Sequence, residues 1–399
     1  MAFSQVVNLS MHLSQEIQPR PSFEEKLSSN TEIDSGLLWM AIASFLLRHM
    51  DGNILFYVSA FFFGILLFCS KLIQSKGQLH KFFALILLFS LFVYFQGLVV
   101  NAFQQGWIFL PLLVSSLGVA WELYDKGISD KAAKWLLYFV GLVFVYKMYT
   151  HSFMVDDIFK GSRNQISVMF INLGVLYYIC AYKQRVKYSF FPSIFVFLIC
   201  VSVFGASGIL ASFILVVGVF FYRFFGETSL FKTLLVLFAL FLIYILVNHL
   251  DDLSNILFAI VEDGGHDMEV RKQVDLFRLL SEDIRYKIWG HYISELDIAN
   301  FLFGRPLDFN YLGVKNLHSS YFLLHLRAGI FAVPVFIALI VLLLKSYFES
   351  LMLFFCLLSL LVRAYSDTVL FGTGVFDWVF LFLAISIVSG RRKKWSGVI

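Results

Sequence analysis

The sequence predicts an all-α polytopic membrane protein with about twelve transmembrane helices and one large extracytoplasmic loop between the ninth and tenth. Hydrophobic residues make up 59% of the 399 residues, charged residues only 15%, and the mean hydropathy is +0.80. Soluble domains carry about 25% charged residues. The chain therefore lacks the charged surface that soluble domains of this total length would need. This composition excludes a soluble enzyme, a disordered chain and a disulfide scaffold.

Twelve apolar segments approach or reach the roughly 17–25 residues that a transmembrane helix needs. They are residues 36–49, 53–71, 82–100, 107–123, 135–150, 166–182, 189–204, 207–222, 230–249, 330–345, 350–365 and 370–388. The first segment is the weakest, because it has only fourteen residues before a tight turn expected at Arg48–His49–Met50–Asp51–Gly52. A segment that short is more often a partial or interfacial helix. It is kept because the charge distribution requires an even number of spans.

The distribution of Lys and Arg predicts that both termini are cytoplasmic. With that orientation, eighteen of the 31 Lys and Arg residues fall in inside segments and five in short outside segments, as the positive-inside rule expects. The predicted organisation is a cytoplasmic tail (1–35), a bundle of about nine spans (36–249), an extracytoplasmic loop (250–329), spans ten to twelve (330–388) and a basic cytoplasmic tail (389–399).

The long loop is the part of the chain with room for chemistry. A helix is predicted from Glu269 to Leu296 from apolar positions spaced three and four apart, followed by an irregular section from Asn300 to Asn316. A polar loop framed by membrane helices can cover a cavity at the membrane surface. The alternative is a solvated connector, which its length and irregular section make less attractive.

Three residues of this loop are candidates for catalysis or anion binding. His318 stands just before an apolar helix, where an imidazole could act as a general base toward a hydroxyl. A histidine satisfied by a neighbouring carbonyl is the alternative. Arg278 and Arg285 are seven residues apart, so they share roughly one helix face and could bind phosphate oxygens. They could equally pair with acidic neighbours.

Two further arginines lie at the predicted outer ends of spans. Arg163 precedes span six and Arg363 ends span eleven, and ionisable residues at such depth are candidates for function. Asp367 and Asp377 could pair with them. Interfacial anchors that snorkel to the membrane surface are the alternative.

The sequence offers no recognisable zinc spacing, phosphate-binding loop, dinucleotide fingerprint or nucleic-acid patch. We therefore expect no metal, no cofactor and no nucleic-acid partner.

Four short stretches carry a resemblance to a known family. They are Arg163–Asn164–Gln165–Ile166–Ser167; the hairpin Gly205–Ala206–Ser207–Gly208; Ile284–Arg285–Tyr286–Lys287–Ile288–Trp289 with Leu302–Phe303–Gly304; and His318–Ser319–Ser320–Tyr321 with Gly329. Ser366–Asp367 near the last span adds to them. In their order, and in the twelve-span layout with a late large loop, they resemble the superfamily of bacterial O-antigen polymerases and O-antigen ligases.

The resemblance implies a metal-independent glycosyltransferase of the bacterial inner membrane, whose large loop is periplasmic. It implies undecaprenyl-pyrophosphate-linked oligosaccharide as donor and acceptor, in contact with membrane lipids, and leaves open whether a chain-length regulator and a flippase take part. It assigns catalysis to His318 and Arg285. Pyrophosphate binding falls to Arg163, Arg278, Arg285 and Arg363, with support from Asp367, Trp289 and Ser319.

The sequence departs from the family pattern in the hairpin after span seven. Many members, ligases especially, carry an arginine where this chain has Gly208. That departure favours a repeat-unit polymerase. The alternatives are an O-antigen ligase that transfers the glycan to lipid A-core, a transporter or flippase of lipid-linked glycan, and a non-catalytic scaffold or glycan-export partner. A transporter should show mid-membrane charges and related halves, and few such charges and no such halves are visible.

The topology gives a direct prediction for reporter fusions. A fusion at residue 318 should be active only with a reporter that works outside the cytoplasm, and a fusion after residue 391 only with a cytoplasmic reporter. Cytoplasmic activity at residue 318 would contradict the orientation and with it the proposed chemistry of His318.

Overall fold

The computed structural model is helical throughout the residues that it describes, with no strand among them. These are residues 30–51, 53–75, 81–99, 103–150, 163–203, 206–226, 233, 284–305, 317–371 and 376–390. Residues 37–399 form one compact unit and the residues before them another.

The described ranges contain fourteen α-helices. They are α1 (Asn30–Asp51), α2 (Ile54–Gln74), α3 (Lys81–Val99), α4 (Phe103–Asp125), α5 (Asp130–Thr150), α6 (Arg163–Gln184), α7 (Phe191–Ser202), α8 (Ala206–Phe225), α9 (Ile284–Ser294), α10 (Ile298–Phe303), α11 (Ser320–Ala328), α12 (Ala332–Glu349), α13 (Leu351–Ser366) and α14 (Asp377–Ser389). A single 3₁₀ turn, Gly329–Phe331, joins α11 to α12.

Within the described ranges, five helices are long and apolar enough to cross a membrane. They are Ile54–Gln74, Asp130–Thr150, Asn164–Gln184, Ser207–Phe225 and the combined run Ser320–Glu349. Several shorter apolar helices accompany them. The predicted class of a helical, membrane-embedded protein is therefore supported, whereas the count of twelve spans and the side of each terminus stay predictions. The predicted ninth span, 230–249, lies almost wholly outside the described residues.

Some predicted boundaries were wrong. The first apolar segment belongs to a helix of 22 residues that begins at Asn30, inside the predicted tail. The section from Asn300 was expected to be irregular, but it begins inside α10, because the Asp297 carboxylate accepts a hydrogen bond from Asn300 N (2.6 Å) and caps that helix. By contrast, the apolar helix expected just after His318 is present as α11, which starts at Ser320 and leads through the 3₁₀ turn into α12.

Helix α6 forms the centre of the bundle. In its most apolar window 94% of the residues are buried, against 22–33% in the other four candidate spans. Helices α5, α7, α8, α13 and α14 all pack against it. A helix that is apolar on every face and surrounded by other helices belongs to the interior of a bundle. The outer helices instead leave apolar side chains such as Phe62, Trp135 and Phe213 exposed, as expected for contact with lipid.

The two ends of α6 define two ends of the bundle. At its start, Asn164 contacts Arg363 on α13, and we call this the Arg363 end. At its finish, Lys183 lies over the Tyr124 ring of α4 and Gln184 donates to Ile128 O, and we call this the Lys183 end. Because α6 has 22 residues, the two ends are ~33 Å apart.

Helices α2 and α4 cross closely through small residues. Ser115 Oγ donates a hydrogen bond to Ala60 O (2.8 Å), and a Cβ placed on Gly118 would lie 2.2 Å from Gly64 O and 2.7 Å from Phe68 N. Small residues allow two transmembrane backbones to approach in this way. Nearer the Lys183 end, Lys71 of α2 forms a buried ion pair with Glu122 of α4 (2.8 Å).

We predict that Gly118→Ala destabilises the bundle. The added methyl group meets backbone atoms, which cannot rotate away, so α2 and α4 must separate at a cost of about 1–3 kcal/mol. Thermal unfolding of the purified protein in detergent measures the effect. Gly290→Ala is the matched control, because a Cβ at Gly290 meets nothing within 4 Å. Equal stability of both variants would show that the close crossing is absent.

Candidate functional site

A fully buried arginine organises the Arg363 end. Arg363 is 1% exposed and donates four hydrogen bonds. Nη1 donates to Ser207 Oγ (2.7 Å) and Ser366 Oγ (3.2 Å), while Nη2 donates to Asn164 O (2.9 Å) and Asp367 Oδ2 (3.2 Å). The guanidinium fork therefore joins the starts of α6 and α8 to the end of α13, which is the multidentate geometry that arginine suits best.

The predicted pairing of Asp367 with an arginine is confirmed for Arg363. Their ion pair spans one helical turn, with Nη2 and Oδ2 3.2 Å apart. The alternative of a snorkelling interfacial Arg363 is wrong, because the side chain is enclosed. In this arrangement four protein acceptors occupy its terminal nitrogens, so the geometry supports a positioning role rather than direct contact with pyrophosphate.

Asp367 also fixes the start of α11. Its main-chain carbonyl accepts hydrogen bonds from Ser320 N (3.0 Å) and Ser320 Oγ (2.8 Å). Ser320 Oγ in turn accepts from Val369 N (2.8 Å) and Leu370 N (3.1 Å). Asp367, which follows the helix of Arg363, is thus bound to Ser320, which lies two residues after His318.

A second anchor holds the chain on the other side of His318. Trp289 Nε1 on α9 donates to Leu317 O (2.6 Å), and the indole is almost completely buried. Its ring stacks on Phe322 (centroids 5.2 Å apart) and meets Tyr365 edge-on (5.1 Å). Trp289 therefore supports the histidine segment from α9, as Asp367 supports it from the end of α13.

His318 sits between these anchors in a strained backbone conformation. Its φ is +50°, in the left-handed region that costs a non-glycine residue roughly 1–2 kcal/mol. The side chain is partly exposed, whereas Ser319 is fully buried. Among the described residues, Ser319 Oγ has no hydrogen-bond partner. Strain held by two anchors is typical of a residue whose position matters for function.

The two glycines of the resembling stretches pack the end of α10 onto the end of α11. Both have positive φ, 78° at Gly304 and 54° at Gly329. A Cβ on Gly304 would lie 2.5 Å from Leu326 O, and one on Gly329 would lie 2.3 Å from Leu302 O. Next to them Arg305 hydrogen-bonds to Glu295 (2.8 Å) and so lowers the pKa of that carboxyl. These contacts fix the described part of the loop against α11, the helix that follows His318.

The other predicted arginines are placed only in part. Arg163 is the first residue of α6, next to Asn164, whose carbonyl binds Arg363. Arg285 is the second residue of α9, one turn before Trp289. The side chains of Arg163 and Arg285 lie outside the described part, and Arg278 does so entirely. Their pyrophosphate contacts stay predictions.

Four polar contacts at or near this site were missed from the sequence. His49 Nε2 on α1 lies 2.5 Å from Gln165 O, and the neighbouring Arg48 stacks over Tyr57 with its guanidinium carbon 3.6 Å from the ring centroid. The Tyr292 hydroxyl lies 2.8 Å from His325 Nδ1, and burial raises the pKa of Tyr292.

The fourth missed contact involves Asp377, which is buried and interacts electrostatically with Arg327. Its expected pairing with Arg163 stays a prediction, because the Arg163 side chain lies outside the described residues. Arg327 was not selected as a candidate because it fell within the predicted loop 250–329, whereas the structure places it on α11. Tyr292 and His325 are 33 residues apart and on different helices, so no spacing rule links them.

No protein-family model, curated protein or solved structure gives a significant match to this chain. The candidate site is therefore defined by its own contacts. Within the described ranges, parts of all four resembling stretches and Ser366–Asp367 meet at the Arg363 end or join it through direct hydrogen bonds.

We predict that Arg363 and Asp367 are energetically coupled. Arg363→Ala should destabilise the protein by about 3–5 kcal/mol, because it leaves buried acceptors and a carboxylate without their partner. Adding Asp367→Ala should cost less than the sum of the single changes, with a coupling of roughly 1–3 kcal/mol. Unfolding of the four proteins in detergent gives this cycle. Arg223→Ala, at an exposed position, is the control. Additive effects would show that the ion pair does not connect the helices.

Proposed function

We propose that this protein is a polymerase of O-antigen or a related surface polysaccharide, transferring glycan from undecaprenyl pyrophosphate to another lipid-linked repeat unit. The observation that carries the proposal is the placement of His318. It lies between two anchors, Trp289–Leu317 and Ser320–Asp367, at the end of the bundle where α6, α8 and α13 meet around Arg363. The same stretches carry the sequence resemblance.

The proposed reaction is an inverting displacement at the anomeric carbon of the donor sugar. His318 takes the proton from an acceptor hydroxyl as its oxygen attacks that carbon. The bond from the anomeric carbon to the pyrophosphate oxygen breaks, and the electron pair leaves with undecaprenyl pyrophosphate. A single strained, doubly anchored histidine suits this role, because a base must stay within about 2.6–3.2 Å of the proton that it removes.

Charge stabilisation on the leaving pyrophosphate is assigned to Arg163 and Arg285, with Arg278 as a further candidate. Fixed cations that face developing negative charge stabilise the transition state, and most strongly where water is excluded. Arg163 begins the central helix and Arg285 stands one turn before the Trp289 anchor, so rigid elements carry both. Arg363 acts as a positioning residue that holds three helix ends together.

The polymerase is favoured over a ligase by Gly208, which lies in the first turn of α8. A Cβ on Gly208 would lie 2.5 Å from Ser167 Cβ, so this position has no room for the arginine that the resemblance associates with ligases. The neighbouring Ser207 instead accepts a hydrogen bond from Arg363, which reaches the hairpin from α13. The cation is supplied from a different helix.

We predict that His318→Ala and Arg285→Ala abolish long-chain glycan while the protein stays in the membrane. Gel electrophoresis of surface glycan from a deletion strain carrying each variant measures the product, and immunoblotting of membranes measures the protein. His291→Ala and Lys287→Ala are the controls, a histidine and a basic residue on α9 beside Arg285, and both should support normal glycan. Normal long chains in the His318 and Arg285 variants would refute their roles.

The deletion strain separates the two transferase activities. Loss of a polymerase leaves lipid A-core that bears a single repeat unit, whereas loss of a ligase leaves bare core and long polymer on the lipid carrier. Purified protein in vesicles with lipid-linked repeat units distinguishes a transferase from a transporter, because only a transferase lengthens the glycan.

A further inference from the structure

A pocket lies at the Lys183 end, far from the candidate transferase site. It has a volume of about 310 Å³ and is lined by Ala181, Tyr182, Arg185, Val186, Lys187, Tyr188 and Tyr222. These residues belong to the end of α6, the turn after it and the end of α8. Because Asn164 and Arg185 stand at opposite ends of α6, the pocket is roughly 30 Å from Arg363. Its volume lies within the roughly 300–1,000 Å³ range of small-molecule sites.

The main chain that carries the two cations of this pocket is fixed in an unusual conformation. Val186 N donates to Ala181 O (3.1 Å) and Arg185 N donates to Tyr182 O (3.2 Å), which closes the end of α6. Arg185 occupies the left-handed position of this motif, with φ +58°, where glycine is usual. An arginine at a position that glycine fits better is a backbone outlier of the kind that suggests a use for its side chain.

The pocket combines positive charge with tyrosine rings. Arg185 and Lys187 are both exposed, so both cations are accessible to a ligand. Tyr188 is buried and meets Tyr222 edge-on with centroids 4.5 Å apart, while the Tyr182 hydroxyl donates to Glu349 of α12. That hydrogen bond engages the Glu349 carboxylate. Two cations beside a rigid aromatic wall favour a small anion over a cation.

The surroundings favour a lipid as the source of that anion. Helices α6 and α8 are both candidate membrane spans, so their ends lie where headgroups are expected. Val186, Phe224 and Phe225 beside the pocket are exposed apolar side chains, which suit acyl chains next to a headgroup. Basic pockets between transmembrane helices are a known way to hold anionic headgroups.

We propose that this pocket binds the phosphate of an anionic phospholipid headgroup through Arg185 and Lys187. The shared chemistry is a phosphate group, which a soluble phosphate could also supply. The site is independent of the proposed transferase function, because it uses other residues at the opposite end of α6.

The test compares lipid binding and stability of the purified full-length protein. The wild type and Arg185→Gly/Lys187→Gln are unfolded thermally in nanodiscs of phosphatidylcholine with and without phosphatidylglycerol, and bound lipid is counted by native mass spectrometry. We expect phosphatidylglycerol to bind and stabilise the wild type, and the double variant to bind it roughly 10-fold more weakly or worse. Lys131→Gln, an exposed charge at the same end, should bind as the wild type does.

The glycine substitution separates binding from folding. In pure phosphatidylcholine, Arg185→Gly alone should unfold at the wild-type temperature or above, because glycine relieves the left-handed strain. Titration with inorganic phosphate in a zwitterionic detergent forms the second arm. Binding of phosphate but not phosphatidylglycerol would overturn the lipid as the source. Equal phosphatidylglycerol binding by the wild type and the double variant, or none by the wild type, would overturn the site.

Discussion

The geometry of the Arg363 end depends on one buried guanidinium. Removing an arginine from water costs several kcal/mol, which is recovered only when good acceptors surround it. Arg363 meets this condition through Asn164, Ser207, Ser366 and Asp367, which come from three helix ends. If any of these helix ends moves, the buried guanidinium of Arg363 loses a hydrogen-bond acceptor that water does not replace. The network therefore selects one arrangement of α6, α8 and α13, and the histidine segment is attached to that arrangement through Asp367 and Ser320.

The attachment of His318 from two directions has a mechanical consequence. One anchor, Trp289, comes from the helix outside the bundle core, and the other, Asp367, comes from the end of α13. A displacement of α9 would therefore move one flank of His318 and leave the other in place. A catalytic group needs to be held within about 0.5 Å of its productive position. The two anchors hold His318 from both sides only while α9 stays docked. Any contact that displaced α9 would therefore shift His318 without touching it.

Much of the fold could be predicted from the sequence because lipid imposes a strong rule on composition. Eleven of the twelve predicted spans coincide with described helices. The failures arose where short-range structure depends on partners. The Asp297 carboxylate caps the start of α10. At the start of α11, Ser320 N donates a hydrogen bond to the main-chain carbonyl of Asp367. Neither contact leaves a hydrophobic period in the sequence.

The candidate site was predictable as a set of residues but not as an arrangement. Spacing and resemblance selected His318, Arg363, Asp367 and Trp289, and the structure places them in one connected network. The role of Arg363 could not be inferred from the sequence. An arginine that is buried and joins helices, and an arginine that binds a phosphate, can occur at the same position at the end of a span. Burial and the identity of its acceptors separate the two roles. Arg327 was missed for the opposite reason, since the predicted loop boundary hid its place on α11.

The two ends of the central helix differ in the exposure of their arginines. At the Arg363 end the cation is enclosed and its donors are used within the protein, whereas at the Lys183 end Arg185 and Lys187 remain exposed beside a pocket. An enclosed cation resists salt and responds to the positions of helices, while an exposed one is screened and responds to ions in its surroundings. Because nearly all of α6 between them is buried, a shift of this helix along its axis would disturb both ends together. Helix α8 links the two ends as well, because Ser207 in its first turn binds Arg363 and Tyr222 near its end lines the pocket. Any communication between the pocket and the arginine network would therefore pass through the positions of both α6 and α8.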